Sequence, residues 1–326
     1  MSDAGTINQV SEQVSFKTRR LAHANLFVSD YVKACEFYTS VLGFEEVYRQ
    51  PDANLSSFIS NGNTYHDFGL TDLKSRYAAK DQKPGLYHIA FDLANEADLV
   101  DGYNHAIAAG VKFRAARDQD VARSVYTYDP DHTHVEFYAD TVADWRSLRH
   151  GIIIKKKPEY IPGVSSVPLT GHFYPKGDDL RFIKDAVLHG KKVTHVALVT
   201  ADYDAMVDYY TSVGGLTVFA GGKTGAHAVL RGTAGEGDLT LYRPAPGLTP
   251  GFHHVGIQMW AEDDLDHALE AMPARGLKVL DSSAHAARRA VTIQNPDGIP
   301  LQLYVNRDWQ PAVVNSIAAA DARYLL

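Results

Sequence analysis

The chain carries a single cysteine, Cys35, in 326 residues. No internal disulfide can form, and the composition suits a reducing compartment. Long apolar runs are missing as well. None approaches the length of a membrane span, and Met1 to Arg20 is polar, without the apolar core of an export signal. The expectation is a cytoplasmic protein with no membrane contact. Basic charge is outweighed by acidic, and a net charge of -7 argues against a nucleic-acid partner, because phosphate binding needs concentrated lysine and arginine. The one basic run, Lys155-Lys156-Lys157, reads as solvated linker. No cysteine pairs suggest zinc, and no GxGxxG follows a strand. Gly221-Gly222-Lys223-Thr224 has the end of a phosphate loop, but Thr217 stands where its first glycine belongs. What is present is ordinary for a soluble globular protein, with 45% hydrophobic and 22% charged residues and length enough for two domains.

Two stretches of the sequence repeat. Ala22-His23-Ala24-Asn25-Leu26 is matched 172 residues later by Thr194-His195-Val196-Ala197-Leu198, and each opens a short apolar strand. A helix follows each, with apolar residues at i, i+3, i+4, i+7 and i+10. They are Tyr31, Ala34, Cys35, Tyr38 and Val41 in one copy, and Tyr203, Met206, Val207, Tyr210 and Val213 in the other. Gly43 and Gly214-Gly215 close these helices as left-handed ends. The second stretch, Pro84-Gly85-Leu86-Tyr87-His88-Ile89, returns 166 residues later as Pro250-Gly251-Phe252-His253-His254-Val255. Helices over Asn95–Ala109 and Glu262–Arg275 come next, ending at Gly110 and Gly276. Then Asp129-Pro130-Asp131 precedes Val135-Glu136-Phe137-Tyr138, as Asn295-Pro296-Asp297 precedes Leu301-Gln302-Leu303-Tyr304. So constant an offset marks a duplication.

The organisation that follows is an extension over 1–20, a first domain over 21–140, a linker over 141–190, a second domain over 191–308 and a tail over 309–326. The linker holds Pro158, Pro162, Pro168 and Pro175, with a short helix expected over Leu180–Leu188. The tail, with Ala318 to Ala320, is expected to pack on the surface.

Paired βαβββ modules with a histidine on the first strand of each, and Tyr-x-x-Asp-Pro-Asp leading to Glu136, resemble the vicinal oxygen chelate superfamily. Within it the two-domain extradiol catechol dioxygenases are the best match. The resemblance covers Leu21 to Asp140 and Val193 to Asn306. It implies an α+β fold of four βαβββ modules paired into two open β-barrel-like domains, and a homo-oligomer.

His23, His88 and Glu136 stand where the family has its metal ligands. Two histidines and one carboxylate leave positions open on Fe(II) for substrate and O2, and Mn(II) accepts the same set. Taken singly, each is bland: a strand histidine is commonly a hydrogen-bonded core residue, and Glu136, between Val135 and Phe137, would be read as solvent-facing. All three at the family spacing carry the reading. The second copy has His195, His254 and Gln302. A neutral amide does not balance a divalent cation, so the second domain is expected to be degenerate. Extradiol enzymes commonly hold iron in the C-terminal domain; here the assignment is reversed.

The resemblance assigns further roles. Asn25 lies on the strand face of His23 and is similar to the family Asn near the O2 position. His66 stands at the acid–base histidine, a role imidazole suits near neutral pH. Tyr126 resembles the Tyr that bonds a substrate oxygen. The second copy is read as Ala197, Asp238 and Thr292 at these places. Gln119 falls where a further pocket histidine is usual; it can hydrogen-bond but not transfer a proton. His132 or His134 could substitute, although both read as exposed loop residues. Phe58, with Tyr48 and Tyr77, is a candidate to shape the pocket, and Arg117, Arg114 or Arg123 to pair with an anionic substituent.

The implied activity is Fe(II)-dependent extradiol cleavage of a catecholic substrate with O2, both oxygen atoms entering the product. Two other readings stay open. A metal-dependent glyoxalase-like isomerase or lyase usually draws a fourth, carboxylate ligand from the strand that here carries Tyr65-His66, and Asp67 should point to the opposite face. A metal-free protein of the same fold would only bind a small molecule.

Overall fold

The computed structural model describes residues 14–155, 158–177 and 179–326; most of the extension, and Lys156 and Lys157 of the basic run, lie outside the described residues. The first half comprises β1 (Thr18–Val28), α1 (Tyr31–Glu36, running on as a π-helical turn over Phe37–Val41), β2 (Glu46–Gln50), β3 (Ser56–Ile59) and β4 (Phe68–Asp72), then β5 (Gly85–Leu93), α2 (Glu96–Ala108), β6 (Phe113–Asp118), β7 (Ala122–Tyr128) and β8 (His134–Asp140). A two-residue strand, β9 (Gly151–Ile152), ends it. The second half repeats the order: β10 (Gly190–Val199), α3 (Tyr203–Ser212), β11 (Thr217–Gly221), β12 (His227–Arg231) and β13 (Leu239–Tyr242), then β14 (Gly251–Met259), α4 (Asp263–Ala274), β15 (Val279–Ala284), β16 (Arg288–Gln294) and β17 (Pro300–Asn306). These are the four expected βαβββ modules. Two short helices, α5 (Pro311–Val314) and α6 (Ala319–Leu325), complete the chain.

Local chemistry sets the ends of these elements. Asp30, Asn95 and Asp202 cap α1, α2 and α3 by accepting from backbone N–H groups of the first turn, which intrahelical bonding leaves without partners. Gly43, Gly110, Gly215 and Gly276 follow helices at positive φ, a conformation glycine adopts without Cβ strain.

The strands form two mixed sheets, ordered β6-β7-β8-β5-β1-β4-β3-β2-β9 and β11-β12-β13-β10-β14-β17-β16-β15. In each, the first strands of the two modules pair antiparallel at the centre, and each pairs parallel with the last strand of its own module. Alternation sorts the side chains. Leu21, Ala24, Leu26, Ile89, Phe91, Val135 and Phe137 join the core under the helices, while the residues between them line the other face.

The two barrels clasp each other reciprocally, as an internal two-fold relation requires. The Asp67 carboxylate accepts from Val193 N–H at 3.0 Å, and Asp238 accepts from Leu21 N–H at 2.8 Å. The Asp-Pro-Asp turn and its Asn-Pro-Asp counterpart also face across. Asp131 accepts from Ala201 N–H at 2.8 Å, and Asp297 from Ser29 N–H at 3.1 Å. Tyr210 donates to Asp129 at 2.7 Å, which leaves that turn pinning the barrels together as well as leading into Glu136.

Three expectations are corrected. Leu180–Leu188 is not a helix, because Val187 and Leu188 donate to the carbonyls of Ser40 and Val41 across the interface instead of to their own chain segment. The tail is not a surface layer: Val314, Ile317, Ala322, Leu325 and Leu326 are buried against Ala197, Tyr242, Ala290 and Tyr304 of the second barrel. Strand register also changes one pairing of the copies. Ala24 faces Phe68 and Val196 faces Leu239, so Asp238 corresponds to Asp67, and Gly237 stands where the first copy has His66. No helix among the described residues is long and apolar enough to cross a membrane.

Candidate metal centre

The inner face of the first sheet gathers the site. In register, His23 lies opposite Ala90, Ala90 opposite Glu136, and Glu136 opposite Tyr126. Two ligand candidates thus flank a residue with only a methyl group, and His88, one pleat along β5, completes the set. His23 and His88 each place Nε2 at 3.2 Å from Oε2 of Glu136, and the three donor atoms lie within 4.8 Å of one another. Donors held about 2.1 Å from a common ion at right angles would be about 3.0 Å apart. The residues therefore fit a divalent metal. Among the described residues no other group of three such donors comes together.

The electrostatics agree. His23 is fully buried and Glu136 is 1% exposed. Burial alone would raise the Glu136 pKa, but hydrogen bonds and charge from His23 and His88 hold it well below the usual carboxylate range. A buried carboxylate between two imidazoles is a costly arrangement for stability alone and a natural one for a cation.

The cavity beside these ligands has a volume of about 160 Å³, and its lining includes Asn25, Phe58, His66, Arg117, Gln119, Tyr126 and His134. Asn25 reaches it because its partner across the pair, Gly69, has no Cβ to collide with it, and its Oδ1 has no hydrogen-bond partner among the described residues. The His66 ring lies 3.9 Å from that of His23, with Nδ1 3.5 Å from the Tyr48 hydroxyl. Gln119 donates to the Tyr126 hydroxyl at 2.8 Å, and Tyr126 donates to Oε1 of Glu136 at 2.9 Å. Burial, then the charge of Glu136, pushes the Tyr126 pKa well up.

His134 is not a loop residue: it opens β8 and turns inward, with ring centroids 5.5 Å from His88 and 5.4 Å from Tyr126. Burial and then His88 push its pKa down to about 3, so it is neutral. His132 instead lines the cleft between the barrels and has φ of 63°, the left-handed conformation that glycine usually supplies. Arg123 is also elsewhere, paired with Glu96 at 2.6 Å. Arg114 lines the cavity and donates to Tyr128 at 2.5 Å.

Two contributors were not foreseen. Tyr87, with Tyr77, Arg114 and His134, lines both the metal cavity and the cleft of about 890 Å³ between the barrels, forming a collar between them. Arg149, only 2% exposed, donates to the Gln119 carbonyl and lies 5.3 Å from the Tyr48 ring. No spacing ties this linker arginine to either partner.

In the second barrel other groups occupy the corresponding place. His195 and His254 meet with Nε2 atoms 3.3 Å apart, but Arg288 donates to Gln302 Oε1 at 3.1 Å and to the Leu325 carbonyl at 3.1 Å. Gln302 in turn donates to the Tyr324 carbonyl at 3.1 Å. A fixed guanidinium and the end of the chain fill the place. Burial holds both histidines well below the usual imidazole pKa, followed by Arg288 for His195 and by His253 and His195 for His254.

The comparisons with known proteins agree with this architecture. The family model described as the Glyoxalase/Bleomycin resistance protein/Dioxygenase superfamily matches residues 20–137 and 192–303, and the chain belongs to that superfamily. A catechol-2,3-dioxygenase of Bacillus subtilis (strain 168) is 23% identical over 242 residues, covering 74% of this chain and 75% of the relative. The anaerobic substrate complex of homoprotocatechuate 2,3-dioxygenase from Brevibacterium fuscum superposes with a TM-score of 0.63 at 18% identity, over 92% of this chain and 84% of that one. A Mn(II)-bound glyoxalase from Novosphingobium aromaticivorans gives 0.62 at 17% identity, over 90% and 85%.

Proposed function

We propose that the protein is an Fe(II)-dependent extradiol dioxygenase that opens the ring of a catecholic substrate with O2. The observation that carries this reading is the convergence of His23, His88 and Glu136 with His66, Asn25 and Tyr126 around one cavity. An Fe(II) ion held there would supply Lewis-acid activation of both catechol oxygens and redox contact with O2.

The remaining work falls to the side chains. Phe58, Tyr48 and Tyr65 form an aromatic wall that packs one face of the substrate ring and excludes water. Tyr126, which donates to Glu136 and accepts from Gln119, has one lone pair left to accept from a substrate hydroxyl. Asn25 offers an amide beside the site where O2 reacts. His66 accepts a catechol proton and returns it to the oxygen leaving the cleaved bond, a general acid–base role worth about 10²–10⁴-fold in rate. Both oxygen atoms end in a ring-opened semialdehyde or keto acid.

The isomerase alternative calls for a fourth carboxylate, and none joins His23, His88 and Glu136 among the described residues: Asp67 turns away to Val193, Ser60 and Asn61. Protein loaded anaerobically with Fe(II), then given catechols and air, should consume O2 in step with a yellow ring-opened product. A broad catechol panel yielding neither overturns the reading.

A further inference from the structure

The strand that carries His23 reaches the metal site only because it contains a bulge. Leu21 pairs with Phe91 and His23 with Ala90, leaving Ala22 as an extra residue on β1. Leu21 and Ala24 both join the core under the helices, while Ala22 lies in the inner cluster with Ala90 and Tyr138. Strict alternation from Leu21 would send His23 to the helix side; the extra residue shifts the phase so that it faces inward.

The second barrel holds this irregularity. Its Asp238, 2% exposed, accepts from Leu21 N–H at 2.8 Å and from Gly232 N–H at 2.7 Å. Beside it, Thr233 and Ala234 donate to the carbonyls of Thr18 and Arg19 at 3.1 and 2.8 Å. Gly232 packs so closely on β1 that an added Cβ would collide with the Arg19 carbonyl. The loop Gly232–Asp238 thus grips β1 over the residues leading to the bulge.

We propose that Asp238 is a positioning residue for the metal ligand His23, and that aiming this ligand is the contribution of the degenerate barrel to the site. The inference rests on the metal reading above. Asp238 touches no ligand; it fixes the backbone two residues upstream of one. Losing a group bonded directly to a metal ligand typically costs about 10–100-fold in metal affinity; Asp238 acts one step further out, through the backbone, and the lower end of that range, about tenfold, is expected.

The test compares the whole protein with D238N and G232A, loaded with Co(II) and titrated against a chelator, with circular dichroism and thermal melts as the check on folding. D238N leaves one oxygen for two N–H donors; G232A pushes on the same strand without touching the carboxylate. The expected result is a folded variant whose Co(II) affinity falls about tenfold, with an altered visible d–d spectrum. Hydrogen exchange on the wild-type protein needs no variant: the Leu21 amide should be among the slowly exchanging sites. Folded variants with wild-type affinity and superimposable spectra, or a Leu21 amide exchanging as fast as an open loop, overturn the proposal. A wild-type protein that takes up no metal would instead remove the reading on which it rests.

Discussion

The Tyr126 hydroxyl donates to Oε1 of Glu136 at 2.9 Å, leaving Oε2 to face the Nε2 atoms of His23 and His88. One carboxylate oxygen is therefore steered by a phenol and the other is directed at the metal position. Tyr126→Phe should lower metal affinity about 10–100-fold, the usual cost of removing an outer partner. Glu136→Gln, which removes the ligand charge itself, should lower it further. Chelator competition on folded protein measures both.

Restoring a carboxylate in the second barrel should not restore a site. Arg288 donates to Gln302 Oε1, so Gln302→Glu would form an ion pair with that guanidinium. Metal analysis should find the same stoichiometry in this variant as in the wild type, and additional bound metal would show that Arg288 does not block the pocket.

These two barrels show how much of the molecule was legible. The modules and their glycine-closed helices can be read because duplication prints the same pattern at a fixed offset, and the ligand triplet because its spacing matches that of the family it resembles. His134 reads as exposed because a residue just past a turn looks like loop until strand pairing places it at the head of β8. The helix expected over Leu180–Leu188 fails because its backbone bonds go to Ser40 and Val41, partners outside its own periodicity. Sequence spacing pairs His66 with Asp238, whereas register gives Asp238 to Asp67, because loop lengths differ between copies and only register counts them. Arg288 and the tail carry no repeat signal, since they exist in one copy only.

The tail should be structural. Leu325 and Leu326 are almost wholly buried, and the Tyr242 hydroxyl donates to the carbonyls of Ala322 at 3.2 Å and Leu326 at 2.5 Å. Deleting residues 319–326 should destabilise the second barrel by about 3–6 kcal/mol, from two leucines at about 1.5–3 kcal/mol each. Urea unfolding reads this; an unchanged midpoint contradicts it.

Asp140 sets a pH dependence of stability. Burial, then the neighbouring Asp92, raises its pKa to about 8, and neither carboxyl oxygen has a hydrogen-bond partner among the described residues. The folded protein thus holds this proton more tightly than the unfolded chain does. The contribution is complete below about pH 4 and is lost as pH rises towards about 8. Asp140→Asn cannot titrate, so its stability should gain on the wild type between about pH 5 and about pH 8.5. Parallel unfolding curves for the two proteins at both pH values would count against this.

His66→Phe should retain metal while slowing turnover about 10²–10⁴-fold, the range for a lost general acid–base group. Unchanged turnover would remove His66 from the chemistry; loss of metal would assign it to the ligand set.

The location of the ion tests the central claim most directly. Crystals of metal-loaded protein, recorded at the metal absorption edge, should show one anomalous peak, bounded by His23, His88 and Glu136, and none between His195, His254 and Gln302. A peak in the second barrel, or a first barrel left empty by saturating metal, would contradict the account.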